Sequence, residues 1–199
     1  MTEGDEKLDQ DVRILSAMAA EMDDYLDSDV LFWEMGKAGM PKLTLGGYLM
    51  RQQRLLALYD SLTPEQQAEV DEAVARFNLA LAERIVRSEE KAQRELDARL
   101  RQWGEYLKDV DRGQASSKSN YSTAVEARAM IDALTSFLSL APYQLDDRFV
   151  QHSALLDSRL RPRWKSGEFI WPEELAAAYP ERTYWWLYGA PRERDPNAS

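Results

Sequence analysis

The stretch "VDEAVARFNLALAERIVRSEEKAQRELDARLRQWGEYLKDV", residues 70–110, decides the fold class of this chain. Its apolar residues recur about every 3.6 positions from Val70 to Val110, which is the period of one face of an α-helix. A period of about 3.5 would indicate a left-handed supercoil, so the pattern predicts a fairly straight helix and not a sustained coiled coil. We therefore predict an all-α protein, an elongated helical bundle built on one very long central helix.

The start of this long helix is marked in "SLTPEQQ", residues 61–67. Thr63 is a typical N-cap residue, Pro64 suits the first turn, and Gln66 completes a capping box. A helix over 64–110 would be roughly 70 Å long at about 1.5 Å per residue. A compact chain of this length is only about 40 Å across, which is why we predict an elongated molecule.

The middle of the long helix is unusually polar. Between Val86 and Leu96, the stretch "VRSEEKAQREL" offers only Ala92 to a hydrophobic core, although nearly all of its residues are good helix formers. We predict that this middle part is helical and exposed to solvent. Gly104 is the expected irregularity, because glycine costs about 1 kcal/mol of helix propensity relative to alanine.

Residues 1–141 are predicted to form one helical domain. Besides 64–110, its helices are expected at about 5–27, 44–62 and 123–140, with Thr44 and Thr123 as caps of the last two. Residues 142–190 are rich in proline and aromatic residues and are predicted to pack on the helices as an irregular segment of the same domain. Residues 191–199 lack an apolar anchor and are expected to fray.

The C-terminal aromatic residues have two competing explanations. The stretch "YPERTYWWLYGAP", residues 179–191, either covers the protein's own helices or contacts a partner. Adjacent tryptophans cannot easily face the same way, so we expect one of Trp185 and Trp186 to be buried and the other to lie at the margin of a contact surface. The candidate partner-binding residues are Arg161, Arg163, Trp164, Trp171, Trp185, Trp186 and Tyr188.

The charge of the chain limits its partners. The formal net charge is −10, whereas residues 159–199 alone carry +1. The charge therefore disfavours nucleic acid as a partner, since duplex binding needs clustered Lys and Arg. The partner is predicted to be an unknown protein or a second copy of the chain in a homo-oligomer, without membrane insertion and without a cofactor.

The cysteine and histidine content and the N-terminal sequence bear on the cellular compartment and on the possible classes of catalytic site. The chain has no cysteine and begins without an apolar leader, so a cytoplasmic location is expected. A single histidine, His152, leaves little basis for a catalytic triad and none for a helical di-iron site.

One acidic stretch suggests an alternative function. In "EMDDYLDSD", residues 21–29, at least two of the carboxylates of Asp23, Asp24 and Asp27 share a helix face. Oxygen ligands in this arrangement suit Mg²⁺, so the alternative is a Mg²⁺-dependent all-α phosphohydrolase that uses this acidic cluster. A second acidic pair and a phosphate-binding residue cannot be assigned. The sequence therefore favours a non-enzymatic interaction or scaffold protein.

Overall fold

The computed structural model describes residues 2–113 and 118–192, which form helices and one small two-stranded antiparallel sheet. The helices are α1 (Glu3–Ala20), α2 (Met22–Asp27), α3 (Leu45–Ala57), α4 (Pro64–Glu83), α5 (Ile85–Asp111), α6 (Lys118–Leu138) and α7 (Asp147–Leu160). The strands are β1 (Trp164–Phe169) and β2 (Tyr188–Pro191), and short 3-10 turns lie at Tyr59–Ser61, Arg161–Arg163, Glu173–Ala178 and Trp185–Leu187. The predicted all-α class with an aromatic C-terminal segment packed on the helices is confirmed. Of the tail predicted to fray, residues 193–199 lie outside the described residues.

The helix starts that the sequence predicted at Thr63 and Thr44 are confirmed by their hydrogen bonds. The Thr63 hydroxyl accepts a bond from the Gln66 backbone N–H at 3.3 Å, and the Gln66 side chain accepts one from the Thr63 N–H at 3.0 Å. Thr44 accepts a bond from the Gly47 N–H at 3.0 Å and caps α3 in the same way. Both starts depend on contacts within three residues, so local sequence is enough to specify them.

The predicted helix over 64–110 is divided into α4 and α5 at Arg84. The backbone of Arg84 leaves the helical region, with φ −137° and ψ 44°, and the two helices are roughly 30 Å and 40 Å long. Two features favour the break: the β-branched Ile85 and Val86 that follow Arg84 lower helix propensity, and the Arg84 guanidinium pairs outside the helix with Asp23 and Asp27 of α2. On one side of the break α4 packs along α1, and on the other side α5 packs along α6. Gly104, where the irregularity was expected, is buried inside α5.

The polar middle of α5 is helical as predicted, and Arg87, Glu90 and Arg94 are exposed, but the prediction is wrong for its other face, which is buried. Ser88, Lys91 and Glu95 are buried beside Ala92. The Glu95 carboxylate accepts a hydrogen bond from the Gly46 N–H at 2.8 Å and one from Arg99 at 3.2 Å. A negative charge is stabilised at the start of a helix, so Glu95 connects α5 to the beginning of α3.

The approach of Glu95 explains the glycine at the first turn of α3. A Cβ atom at position 46 would lie 2.7 Å from the Glu95 Oε1 atom, so a side chain there would displace the Glu95 carboxylate from its hydrogen bond to the Gly46 N–H. Lys91 makes a second long-range contact from the same part of α5, since its Nζ donates to the Val30 carbonyl at 2.7 Å. The polar middle therefore holds two other parts of the chain in place.

Three other predicted helices have different ends in the structure. The helix over 5–27 is interrupted at Glu21, whose carboxylate accepts bonds from the Trp33 indole N–H and the Gly36 N–H. The helix over 44–62 ends at Ala57 and continues as a 3-10 turn. The helix over 123–140 begins at Lys118, so Thr123 lies inside α6 and is not its cap.

We expect the buried Lys91 to make stability depend on pH. Burial, with a smaller effect from Arg94, lowers the pKa of Lys91 from 10.5 to about 8. At this site the unfolded chain then binds more protons than the folded chain between pH 8 and 10, so Lys91 should contribute stability that rises with pH, by roughly 1–2 kcal/mol up to pH 9.5. Buried tyrosines with raised pKa values, such as Tyr25 and Tyr48, give an opposite trend in the same window, and this trend is common to wild type and to Lys91→Met. Urea denaturation at several pH values should therefore show that the stability of the wild type relative to Lys91→Met rises with pH, and a constant difference would contradict the assignment.

Candidate functional site

A buried ion network holds the C-terminal segment on the helices. Asp11 of α1 is fully buried and pairs with two arginines of α3, Arg54 at 2.5 Å and Arg51 at 3.3 Å. The Nε of Arg54 donates to the hydroxyl of Tyr179 at 3.0 Å. The network therefore connects α1, α3 and the aromatic segment around one carboxylate.

Aromatic rings enclose the Arg54 side chain. Its guanidinium lies 5.0 Å from the ring centroid of Trp171 and 5.6 Å from that of Tyr179, within the range of cation–π attraction. Burial opposes the charged form of Arg54, but Tyr179 and Asp11 outweigh it and raise its pKa above the usual range. The Trp171 indole N–H donates to the Ser122 carbonyl at 3.0 Å. Trp171 is thus held by the protein's own α6.

Trp186 and Tyr188 are also bound within the chain. Trp186 is only 1% exposed, and the Arg128 guanidinium lies 4.9 Å from its ring centroid. The Tyr121 hydroxyl donates to the Trp186 carbonyl, and the Tyr188 hydroxyl donates to the Tyr179 carbonyl at 2.9 Å. For Trp171, Trp186 and Tyr188, covering the protein's own helices is therefore a sufficient explanation.

The other four candidate residues lie together at one end of the small sheet. The Arg161 guanidinium lies 4.2 Å from the ring centroid of Trp185, and Trp164 meets Trp185 edge to face at 5.4 Å. Trp185 is half-buried and Trp186 is buried, so the prediction that one member of the pair is buried is confirmed, whereas the predicted contact surface at Trp185 stays a prediction.

The β1–β2 pairing adds two cations that the sequence interpretation had not assigned. Lys165 lies opposite Ala190 in the register, and the Arg192 N–H donates to the Arg163 carbonyl at 2.6 Å. We call the resulting surface the basic corner; it consists of Arg161, Arg163, Trp164, Lys165, Trp185 and Arg192. Lys165 directly follows Trp164, so the sequence could have indicated it, whereas Arg192 lies far from this segment and is brought to it only by the β1–β2 pairing.

The basic corner has more positive than negative charge. Asp111 accepts bonds from both Arg163 at 2.8 Å and Arg159 at 2.9 Å, so one carboxylate serves two guanidiniums. Arg161, Lys165 and Arg192 are exposed and form no ion pair within residues 2–113 and 118–192. An exposed cationic surface on a chain of net charge −10 can receive an anionic group.

The acidic cluster suggested as a metal site lies against Arg84. The guanidinium binds both oxygens of Asp27, at 2.7 and 3.0 Å, and one oxygen of Asp23 at 2.7 Å. The hydrogen bonds from Arg84 lower the pKa of Asp27. Among the described residues, no group of three or more His, Cys, Asp or Glu side chains is placed to hold a metal ion. Pairing with a cation of the same chain accounts for Asp23 and Asp27, and Asp24 has no assigned role.

Comparisons with known proteins assign no family to this chain. No family model, curated protein or solved structure matches this chain. Within the described part of the chain, every helix is too short or too polar to cross a membrane. Functional inference therefore depends on the geometry of the surfaces.

Proposed function

We propose that this chain is a non-enzymatic protein-interaction module whose basic corner binds an acidic segment of a partner protein. The observation that supports this most directly is the stacking of the exposed Arg161 on Trp185, at 4.2 Å from its ring centroid. Arg161 has no carboxylate partner among the described residues. The Arg161 guanidinium is therefore available to a carboxylate of another molecule.

Stacking prepares Arg161 for carboxylate recognition. A guanidinium that lies over an aromatic ring keeps its N–H groups at its edge, where they match the two oxygens of a carboxylate. Trp185 is itself supported by Trp164 edge to face. Because the side chain is held before binding, less conformational entropy is lost when the partner arrives.

The surrounding charges favour an acidic partner at this place. Lys165 and Arg192 are further exposed cations of the small sheet and its end, whereas residues 1–158 carry −11. An acidic segment is repelled by most of the surface and attracted by the basic corner, which increases the association rate and fixes the orientation.

The arrangement of the rings favours an acidic peptide over single-stranded nucleic acid. Binding of bases depends on open aromatic faces on which they can stack. One face of Trp185 is covered by Arg161, and Trp164 contacts both Trp185 and Tyr121, the latter at 5.5 Å. The net charge of −10 also opposes a polyphosphate chain.

Replacing Arg161 by Glu tests the proposal. The wild-type protein should bind a short, fluorescein-labelled peptide rich in Asp and Glu, and the binding should weaken as salt increases. A hydrogen bond to a charged group contributes about 1.5–3 kcal/mol, so Arg161→Glu should lower the affinity at least about tenfold. Fluorescence anisotropy measures both effects.

The matched control is Lys37→Glu, which makes the same change of charge at an exposed cation in the segment between α2 and α3. It should leave peptide binding almost unchanged, and a peptide with Asn and Gln in place of Asp and Glu should not bind. Equal loss in both variants would indicate a general charge effect and not a site. Tighter binding of an oligothymidine than of the acidic peptide would favour nucleic acid and overturn the proposal.

A further inference from the structure

The small sheet has an open edge on β1, within the basic corner. The Arg192 N–H donates to the Arg163 carbonyl, and hydrogen-bonded and non-bonded positions alternate along an antiparallel pair. Trp164 and Ser166 therefore occupy non-bonded positions, so their backbone N–H and C=O groups point away from β2. Residues 165–168 are exposed. This edge of β1 is thus accessible to another molecule.

Most of the backbone groups on this edge have no partner. The Trp164 N–H donates to the Arg161 carbonyl in the 3-10 turn before β1. Within residues 2–113 and 118–192, the Trp164 carbonyl and both backbone groups of Ser166 form no hydrogen bond. An edge strand with unpaired backbone groups is a template on which another extended chain can pair.

The other edge of the sheet, on β2, is closed to a further strand. Its outward positions are Gly189 and Pro191, which lie opposite Ser166 and Trp164 in the register. Proline has no backbone N–H to donate, and Gly189 is buried. A further strand can therefore add to this sheet only along β1, which contains no proline.

We propose that the acidic segment of the partner adds to the open edge of β1 as a third strand, with its acidic residues at every second position. This inference rests on the proposed function, because it takes the same acidic segment as the occupant. It goes further by assigning an extended conformation and a periodic charge pattern to the segment. Backbone hydrogen bonds supply affinity in this mode of binding, and alternate side chains supply specificity.

The cations beside the edge determine which chain fits it. Side chains alternate between the two faces of a strand, so Arg163 and Lys165 share one face. Trp164 lies on the other face, against Tyr121 of α6. Acidic side chains two positions apart in an added strand would lie beside Arg163 and Lys165. Arg163 already pairs with Asp111, so the unpaired Lys165 gains most from the added strand.

Two isomeric peptides test the charge pattern. Both carry fluorescein and equal numbers of Glu and Thr, but one alternates the two residues and the other has all of its Glu residues in one block. An extended strand presents every Glu of the alternating peptide on one face. The alternating peptide should therefore bind at least about fivefold more tightly in fluorescence anisotropy. Equal or tighter binding of the block isomer would contradict the periodic pattern.

Methylation of the peptide backbone tests the strand pairing without changing the protein. In the alternating peptide, the N–H groups of one residue type point to β1 and those of the other type point away. Methylation of all Thr amides or of all Glu amides gives two variants with equal charge and equal numbers of methyl groups. One variant should bind at least about tenfold more weakly than the unmethylated peptide, and the other about as tightly. Equal affinities of the two variants would overturn strand addition.

On the protein side, the Ser166 N–H reports the added strand. Its hydrogen exchange, measured by NMR, should slow when the alternating peptide binds, because this N–H is unpaired in the free protein. Ser166→Pro, which removes the N–H, should weaken binding at least about tenfold. Ser166→Ala keeps the N–H and should bind like the wild type. The urea midpoint shows whether Ser166→Pro is folded, and the methylated peptides decide the question if it is not.

The outcomes separate this inference from the proposed function. If no acidic peptide binds, both are wrong. If acidic peptides bind and Arg161→Glu weakens them, but the two methylated variants bind equally and Ser166 exchange does not slow, the basic corner is the binding site and strand addition is wrong.

Discussion

Replacing Asp11 by Asn is expected to lower the free energy of unfolding by about 3–5 kcal/mol. Asp11 is fully buried and is the carboxylate shared by Arg51 and Arg54, which are themselves 7% and 2% exposed. Asparagine keeps the shape of the side chain but leaves two buried guanidiniums without their counter-charge. Denaturation by urea, followed by circular dichroism, measures the loss.

The control for Asp11→Asn is Asp9→Asn. Asp9 lies two positions earlier in α1 and pairs with Arg13 at 2.9 Å, but both side chains are exposed. Such surface pairs contribute at most about 1 kcal/mol, so Asp9→Asn should change stability little. If both substitutions have similar small effects, the buried network does not stabilise the fold.

Asp11→Asn should also disturb the aromatic segment, which contacts the network through Arg54. Arg54 donates to Tyr179 and lies under Trp171. Without the Asp11 carboxylate, the Arg54 guanidinium is expected to move toward water and away from the rings of Tyr179 and Trp171. The near-ultraviolet circular dichroism of the folded variant should therefore weaken, whereas Asp9→Asn should retain the wild-type spectrum.

The parts of the fold that the sequence predicts are those fixed by near neighbours. Thr63 and Gln66 form a capping box across three residues, and Thr44 caps α3 across the same distance. The helical period from Val70 to Val110 is likewise local, and both α4 and α5 are helical over their lengths. Interactions of this kind are formed by residues a few positions apart in the chain, so they can be predicted from the sequence.

The parts that could not be predicted depend on residues distant in the chain. The end of α4 at Arg84 coincides with the pairing of Arg84 to Asp23 and Asp27, which lie far away in the chain. The sequence indicates that Lys91 and Glu95 are exposed to solvent, because their partners in the fold, Val30 and Gly46, lie 61 and 49 positions away. Tertiary contacts override both helix propensity and polarity at these positions.

The basic corner shows the same contrast. Arg161, Trp164 and Lys165 lie within five positions of one another, so their part of the surface was foreseeable. Arg192 lies far along the chain and is brought beside Arg163 only by the pairing of β1 with β2.

Truncation of the two adjacent tryptophans should have clearly different effects on stability. Trp186 is 1% exposed and packs edge to face on Tyr184 at 5.6 Å, so Trp186→Ala should lower the free energy of unfolding by about 3–5 kcal/mol. Trp185 is half-buried and contacts mainly Arg161 and Trp164. Trp185→Ala should therefore cost only about 1 kcal/mol. Denaturant midpoints of both variants measure the difference.

The same pair separates the structural role of the aromatic segment from the proposed binding role. Trp185→Ala removes the ring that holds Arg161, so the folded variant should bind the acidic peptide more weakly despite its near-native stability. Fluorescence quenching by acrylamide should likewise be smaller for Trp186 than for Trp185, because only Trp186 is enclosed. Equal losses of stability in the two variants would show that the segment does not pack as described. A stable Trp185→Ala protein with unchanged peptide affinity would leave the packing intact and remove the basic corner as the binding site.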